Sequence, residues 1–462
     1  MSLMESISGV RGIVGTSLTP EVVVRYAHAF AEFCNTKTVV VGRDGRITGK
    51  ILTNILVSSL LAKGCDVRAI GVCPTPTVAL ETEHSDAAGG VIVTASHNPM
   101  EWNGLKFLNA DGIFLDADEN IELRKHFQGS YSYAVWDKIG THSSIPGAID
   151  KHIDAVLGMK HIDIERIRKR TFKVVLDCVN ASGGVIVPQL LEKLGCEVVM
   201  LHCDVSGVFA HTPEPLPENL TELAETVKKT NADIGIAVDP DADRLVLIDE
   251  NGKPVGEEYS IATIVQYVLS HAGSSELHRP VVINLSTTRA VEDIAAEYGT
   301  PVIRTPVGEI NVAKRMRDSN AIIGGEGSGG IIHPAVHFGR DAIVGIVIVL
   351  QYLAEFGKPM SALRASLPNY FITKDKIQLQ NANPDTILES LAGTVDGSGN
   401  INSDDGIRID FPDYWVHFRK SNTEPIIRII AEARTADEAK KVVKQYKSTI
   451  VNLIETANTL GT

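Results

Sequence analysis

Residues 38–70, TVVVGRDGRITGKILTNILVSSLLAKGCDVRAI, decide the fold. Residues 38–41 form a short β-branched run, residues 49–63 carry helical periodicity, and residues 67–70 make a second extended run. Strand, helix and strand in that order form a βαβ unit, and residues 90–93 supply a third strand. The pattern restarts at residues 172–176, 182–194 and 197–201, and again at 281–285, 290–298 and 301–304. Such repetition predicts three similar α/β domains. The last hundred residues differ: 371–380, 406–411, 415–419 and 426–433 alternate like antiparallel strands, and 436–457 read as a long helix. The expected fold class is therefore α/β, with mixed sheets in three domains followed by a C-terminal α+β domain. Turn residues interrupt the periodicity near 143–148, 252–258 and 366–369, which sets domains at 1–147, 148–256, 257–367 and 368–462.

Bulk properties agree with a large globular protein. At 462 residues the chain exceeds what one hydrophobic core supports. Its composition, 44% hydrophobic and 22% charged, gives no case for disorder. A net charge of -13 argues against a nucleic-acid partner, which needs a basic face, so any anion must be bound locally. The cysteines Cys34, Cys65, Cys73, Cys178, Cys196 and Cys203 form no C-x-x-C pair and fit neither a zinc site nor a disulfide framework. The first residues lack a basic, apolar leader pattern, and no apolar run is long enough to span a membrane. A cytoplasmic protein without a membrane partner is expected, with monomer and homodimer both open.

Four short segments carry the chemistry. Thr94-Ala95-Ser96-His97-Asn98-Pro99 follows the apolar run Val91-Ile92-Val93 and puts one serine on a polar turn. Alone, such a serine is ordinary turn chemistry. Asp239-Pro240-Asp241-Ala242-Asp243-Arg244 lies between two apolar runs and spaces its carboxylates at i, i+2 and i+4, where they can face one hard cation. An EF-hand register is rejected because Arg244 stands where that loop requires glycine and strand-like runs flank it. The bland alternative is an exposed acidic turn, but clustered like charges are unfavourable unless something neutralises them.

Gly324-Gly325-Glu326-Gly327-Ser328-Gly329-Gly330 formally satisfies a dinucleotide fingerprint, yet Ile331-Ile332-His333-Pro334 cannot begin the helix that fingerprint requires. Its glycines instead let Glu326 and Ser328 approach a small polar ligand, or simply make a turn. Arg419-Lys420-Ser421-Asn422-Thr423-Glu424-Pro425, with Arg428, gathers cations, hydroxyls and an amide that suit a phosphate dianion; a solvated hairpin is the alternative.

Together these segments resemble the α-D-phosphohexomutase superfamily, in order and over essentially the whole chain. They resemble its phosphoserine, magnesium, sugar-binding and phosphate-binding loops respectively. Smaller echoes are Ser8-Gly9-Val10-Arg11-Gly12, Gly42-Arg43-Asp44-Gly45-Arg46 and Asn103-Gly104-Leu105-Lys106. The resemblance implies four domains around a central cleft, the fourth swinging over substrate.

It also implies an isomerase that interconverts hexose 1-phosphate and hexose 6-phosphate. Ser96, carried as phosphoserine, exchanges its phosphoryl group with the sugar through a hexose 1,6-bisphosphate, which also serves as activator. Magnesium (Mg2+) would be held by Asp239, Asp241, Asp243 and a phosphoserine oxygen. Arg11 and Arg244 fall near the transferring group, His97 lines the serine loop, and Lys106 is the matched general acid or base, a role that calls for a lowered pKa. The phosphate not undergoing transfer would rest on Arg419, Ser421, Asn422, Thr423 and Arg428.

Gly330 departs from a histidine found in many members; His333 or His337 could cover part of that role. Gly308 and Glu309 resemble the acidic version of phosphoglucosamine mutases, so the reading leans to glucosamine phosphate over the phosphomannomutase/phosphoglucomutase alternative. Glu309 could equally be a surface acid. A nicotinamide dehydrogenase and an NTP-dependent kinase lack their phosphate-binding turns. A non-catalytic sugar-phosphate binding protein would have no use for Ser96 and the aspartates, all of which are present.

Overall fold

The computed structural model describes residues 3–127, 131–379, 382–394, 397, 399–420 and 425–460. Four sheets carry these residues. The first holds β1 (Met4–Ser6), β2 (Gly9–Ile13), β3 (Val39–Arg43), β4 (Val67–Val72), β5 (Gly89–Val93), β6 (Trp102–Asn109) and β7 (His142–Ser144), in the order β1-β2-β6-β5-β3-β4-β7. The second holds β8 (Lys173–Asp177), β9 (Glu197–Leu201), β10 (Ile234–Val238) and β11 (Leu245–Asp249), ordered β11-β10-β8-β9. The third holds β12 (Val281–Asn284), β13 (Val302–Thr305), β14 (Ile323–Glu326) and β15 (Gly330–Ile332), ordered β13-β12-β14-β15.

One four-strand unit recurs in all three: β4-β3-β5-β6, β9-β8-β10-β11 and β13-β12-β14-β15. Its first three strands are parallel, and the last returns antiparallel to its neighbour. Every residue of β5 and β10 is buried, as expected of inner strands covered on both faces. An antiparallel return needs a tight connection at the carboxyl end of the third strand, the side on which open α/β sheets bind ligands. Three of the four sequence motifs occupy those three equivalent connections.

The fourth sheet is antiparallel throughout: β16 (Phe371–Gln378), β17 (Asn400–Asn402), β18 (Ile407–Asp410), β19 (Tyr414–Lys420) and β20 (Ile426–Ala433), ordered β16-β20-β19-β18-β17. The fold class is thus three α/β units with mixed sheets plus an α+β unit. Seven strands lie outside the runs read from the sequence, namely β1, β2, β6, β7, β14, β15 and β17; β7 overlaps the stretch read as the first joint and pairs in parallel with β4.

Apolar packing fuses the first three units. One core runs continuously from Leu176 and Ile236 to Ile283 and Ile331. Another packs Val40 and Val78 of the first unit against Val282 and Met316 of the third. Polar contacts reinforce the joint: Asp341 Oδ2 meets His152 Nε2 at 2.8 Å and His337 Nε2 at 3.2 Å, while Thr77 bonds His152 Nδ1 at 2.9 Å. Asp341 Oδ1 caps the buried helix Ala342–Phe356. The fourth unit keeps a separate core and meets the third through polar groups such as Arg289 with Asp410 (3.2 Å) and Ser286 with His417 (2.9 Å). Among the described residues no single helix is long and apolar enough to cross a membrane.

Candidate active site

Ser96 sits at the tip of the β5–β6 connection with φ 49°, a left-handed conformation that non-glycine residues rarely adopt and that costs about 1–3 kcal/mol. Fully buried Arg46 holds it there. The guanidinium donates to the carbonyls of Ser96 (2.5 Å), Asn98 (2.6 Å), Pro99 (2.7 Å) and Trp102 (2.8 Å), and pairs with Asp44 at 3.1 Å. Asp44 accepts from the Thr94 hydroxyl at 2.6 Å, and that hydroxyl accepts from Ser96 N at 2.8 Å. Arg11 reaches the same loop from β2, donating to Asn98 Oδ1 at 2.9 Å. In sequence, Arg46 was only an echo. The available signal was a pair of charged residues in the turn of an otherwise apolar unit.

The β10–β11 connection faces this serine. Ser96 Oγ donates to Asp239 Oδ2 at 3.0 Å, and Asp239, Asp241 and Asp243 are all 0% exposed. One carboxylate oxygen from each lies within 4.8 Å of the others. Asp241 is held by Lys106 (2.7 Å) and Thr75 (2.7 Å), and Asp243 by Arg340 (2.6 Å). Burial pushes both carboxyls up, but Lys106 at Asp241 and Arg340 at Asp243 outweigh it and hold them below the usual range. Among the described residues no cation pairs with Asp239, and Arg244 offsets only part of the burial and repulsion there. Burial and then the charges of Asp243 and Asp241 push its pKa well above the usual value. The Oδ1 atoms of Asp241 and Asp243 are buried without a hydrogen-bond partner among the described residues. A hard divalent cation fits this donor set, because it satisfies both orphaned oxygens and the repulsion at Asp239.

Lys106 reverses one expectation. Burial alone lowers its pKa, but Asp241 and Asp243 more than offset that, so the ammonium is stabilised rather than weakened. His97 behaves oppositely. Burial, then Arg244 and Arg11, hold its imidazole neutral, 3.4 Å from Ser96 Oγ. Arg244 is 3.9 Å from Asp243 and lines the cleft.

The third connection, between β14 and β15, supplies Glu326 and Ser328. Glu326 is 4% exposed and accepts from Asn284 Nδ2 (2.8 Å), Gly308 N (3.0 Å) and Arg340 Nη1 (2.8 Å). A Cβ on Gly327 would stand 1.8 Å from Glu258 Oε2, so a larger residue there would push the Glu258 carboxylate aside. Glu309 is not a surface acid: it accepts from Arg340 N at 2.8 Å and pairs with Arg340 Nε at 3.1 Å. Arg340 therefore touches three acidic side chains. Sequence reasoning missed it, because its partners lie 14, 31 and 97 positions away and only the fold gathers them.

Arg11, His97, Lys106, Arg244, Glu309, Glu326, Ser328 and Arg340 line one cleft of about 920 Å3, which Arg419 and Arg428 line from the fourth unit. Arg419 pairs with Asp405 at 2.8 Å, whereas Arg428 projects from β20 exposed. Ser421, Asn422 and Thr423 lie outside the described residues. Neither histidine offered as a substitute at Gly330 reaches the cleft. His333 borders a different cavity of about 250 Å3, and His337 turns its Nε2 to Asp341.

Comparison with known proteins covers the whole architecture. The models for phosphoglucomutase/phosphomannomutase alpha/beta/alpha domains I, II and III match residues 5–134, 150–252 and 257–371, and the C-terminal domain matches 376–447. A probable phosphoglucosamine mutase from Methanopyrus kandleri is 35% identical over 97% of this chain and 98% of its own length. A phosphoglucomutase/phosphomannomutase from Thermococcus kodakarensis is 37% identical, again over 97% and 98%. The crystal structure of a phosphoglucomutase/phosphomannomutase family protein from Burkholderia thailandensis superposes with a TM-score of 0.85 at 26% identity, covering 98% of each chain.

Proposed function

The chain belongs to the phosphoglucomutase/phosphomannomutase family, and from that premise we propose that it is a phosphohexomutase in which Ser96 is the phosphoryl carrier. The observation that carries this reading is the serine hydroxyl on a strained turn, 3.0 Å from Asp239 in a buried three-carboxylate loop. A turn serine with no chemistry has no use for such a setting.

Phosphorylated Ser96 gives its phosphoryl group to a hydroxyl of the bound hexose monophosphate. The bond from phosphorus to Ser96 Oγ breaks as the bond to the sugar oxygen forms. Lys106 is the general acid or base: it gives a proton to Oγ and takes the one that the sugar hydroxyl loses, while His97 lines the loop. Arg11 and Arg244 bind oxygens of the transferring group. Asp239, Asp241 and Asp243, with a phosphoserine oxygen, would hold a magnesium ion that would neutralise phosphoryl charge when bound. The resulting hexose 1,6-bisphosphate turns over and returns its other phosphate to Ser96.

Glu326 and Ser328, beside Gly308, read sugar hydroxyls. Arg419 and Arg428, with Ser421, Asn422 and Thr423, hold the phosphate that is not transferred. The fourth domain opens between half-reactions to permit the reorientation, a movement favoured by its separate core. The domains are assigned as 1–147, 148–256, 257–367 and 368–462.

Glucosamine phosphate is the favoured substrate because relatives named probable phosphoglucosamine mutase match 97% of the chain and Glu309 places an acid in the cleft. Its pairing with Arg340 weakens the second argument, and mannose and glucose phosphates remain the alternative. The test compares kcat/KM for the three sugar phosphates with magnesium and the bisphosphate supplied. Interconversion led by glucosamine phosphate is expected; no interconversion of any of them contradicts the reading.

A further inference from the structure

We infer that Arg340 is a positioning residue that locks the sugar-reading carboxylate of Glu326 to the phosphoryl-transfer loop, and that Gly330 is glycine because the Arg340 stem occupies the space of its side chain. The inference rests on the mutase reading and concerns how that site is built. Three observations meet here. Arg340 Nη1 bonds Glu326 Oε2 at 2.8 Å, Nη2 bonds Asp243 Oδ2 at 2.6 Å, and Nε pairs with Glu309 Oε2 at 3.1 Å. A Cβ built on Gly330 would lie 2.2 Å from Arg340 Cδ and 3.0 Å from Cγ. Arg340 is 8% exposed, with its guanidinium against the wall of the cleft.

A planar fork can serve several acceptors in fixed directions at once, which a lysine ammonium on a flexible stem cannot. Such anchoring also prevents the stem from swinging aside for a larger residue at position 330. The two positions therefore depend on each other: any side chain at 330 must displace Arg340 and release Glu326. The loop that selects the sugar is thereby referenced to the loop that faces Ser96, although the two belong to different sheets.

The test uses the full-length protein and five forms: parent, Arg340→Lys, Arg340→Ala, Gly330→Ala and the Gly330→Ala/Arg340→Ala double variant. Equilibrium affinity is measured for glucosamine 6-phosphate and, separately, for inorganic phosphate, alongside KM and kcat. Arg340→Lys and Gly330→Ala should each weaken sugar-phosphate binding by roughly tenfold and raise KM more than they lower kcat, while phosphate affinity stays within about twofold. Added to Arg340→Ala, the Gly330→Ala change should cost less than about twofold, because the obstructing stem is gone.

An equal cost of Gly330→Ala in both backgrounds, or a parallel fall in both affinities, overturns the inference. If Arg340→Ala does not fold, unchanged sugar-phosphate affinity in Arg340→Lys and Gly330→Ala overturns it just as directly. A parent without mutase activity would refute the functional reading instead, and the binding measurements would still judge the Arg340–Gly330 dependence.

Discussion

The serine and aspartate loops on one side of the cleft and the Arg419–Arg428 side opposite are built on opposite plans. Ser96 and its three aspartates are at most 1% exposed, and one buried arginine binds four carbonyls around the serine. Among the described residues Arg419 pairs with Asp405, and Arg428 projects exposed from a sheet whose core is separate from the other three units. Bond making requires reacting atoms held within a fraction of an ångström, whereas a clamp on a distal phosphate must release and rebind it. The contrast predicts that changes on the first side remove chemistry and changes on the second weaken binding.

Ser96→Ala should make the largest difference, lowering kcat by more than about 10^4-fold, since no other hydroxyl occupies that position. Steady-state assays with the bisphosphate supplied check it. Asp241→Asn should lower kcat by about 10^2- to 10^3-fold and shift activation to higher magnesium, and a chelator should silence the parent reversibly. A magnesium titration of both proteins separates the two effects. Arg428→Ala should mainly raise KM, by about tenfold or more, because a charge-assisted hydrogen bond contributes about 1.5–3 kcal/mol. A kcat loss with unchanged KM would break the division between the two sides.

The smallest effect concerns pH. Burial pushes the Glu258 carboxyl, packed beneath Gly327, up to about 8, against about 4.3 in an unfolded chain. Between those values the folded protein keeps a proton that the unfolded chain has released. The contribution is fully present below about pH 4.3 and is lost as pH rises towards 8. Glu258→Gln should flatten stability against pH across that window, as denaturant midpoints would show.

Legibility in the sequence followed how local each signal was. The helix Gly49–Lys63 has the bounds read from its pattern, and Gly64 ends it in a left-handed cap at φ 95°, a local device that sequence displays openly. The alternation of strands and helices likewise revealed the three repeated units. Arg340 was invisible because its bond to Asp243 spans 97 positions and depends on the second and third sheets meeting, and its bond to Glu326, 14 positions away, carries no local pattern. Arg46 was hidden similarly: its acceptors are main-chain carbonyls, which carry no sequence signature. The Lys106 expectation failed for a related reason, since the two aspartates that hold its proton come from another domain.

The most direct measurement is a single turnover of phosphorylated enzyme followed by mass spectrometry of the intact chain and of the peptide containing residue 96. After incubation with hexose 1,6-bisphosphate, one phosphoryl group should be found on Ser96, and addition of glucosamine 6-phosphate should remove it in step with formation of the bisphosphate. A protein that interconverts sugar phosphates while Ser96 never carries phosphate would contradict the central claim.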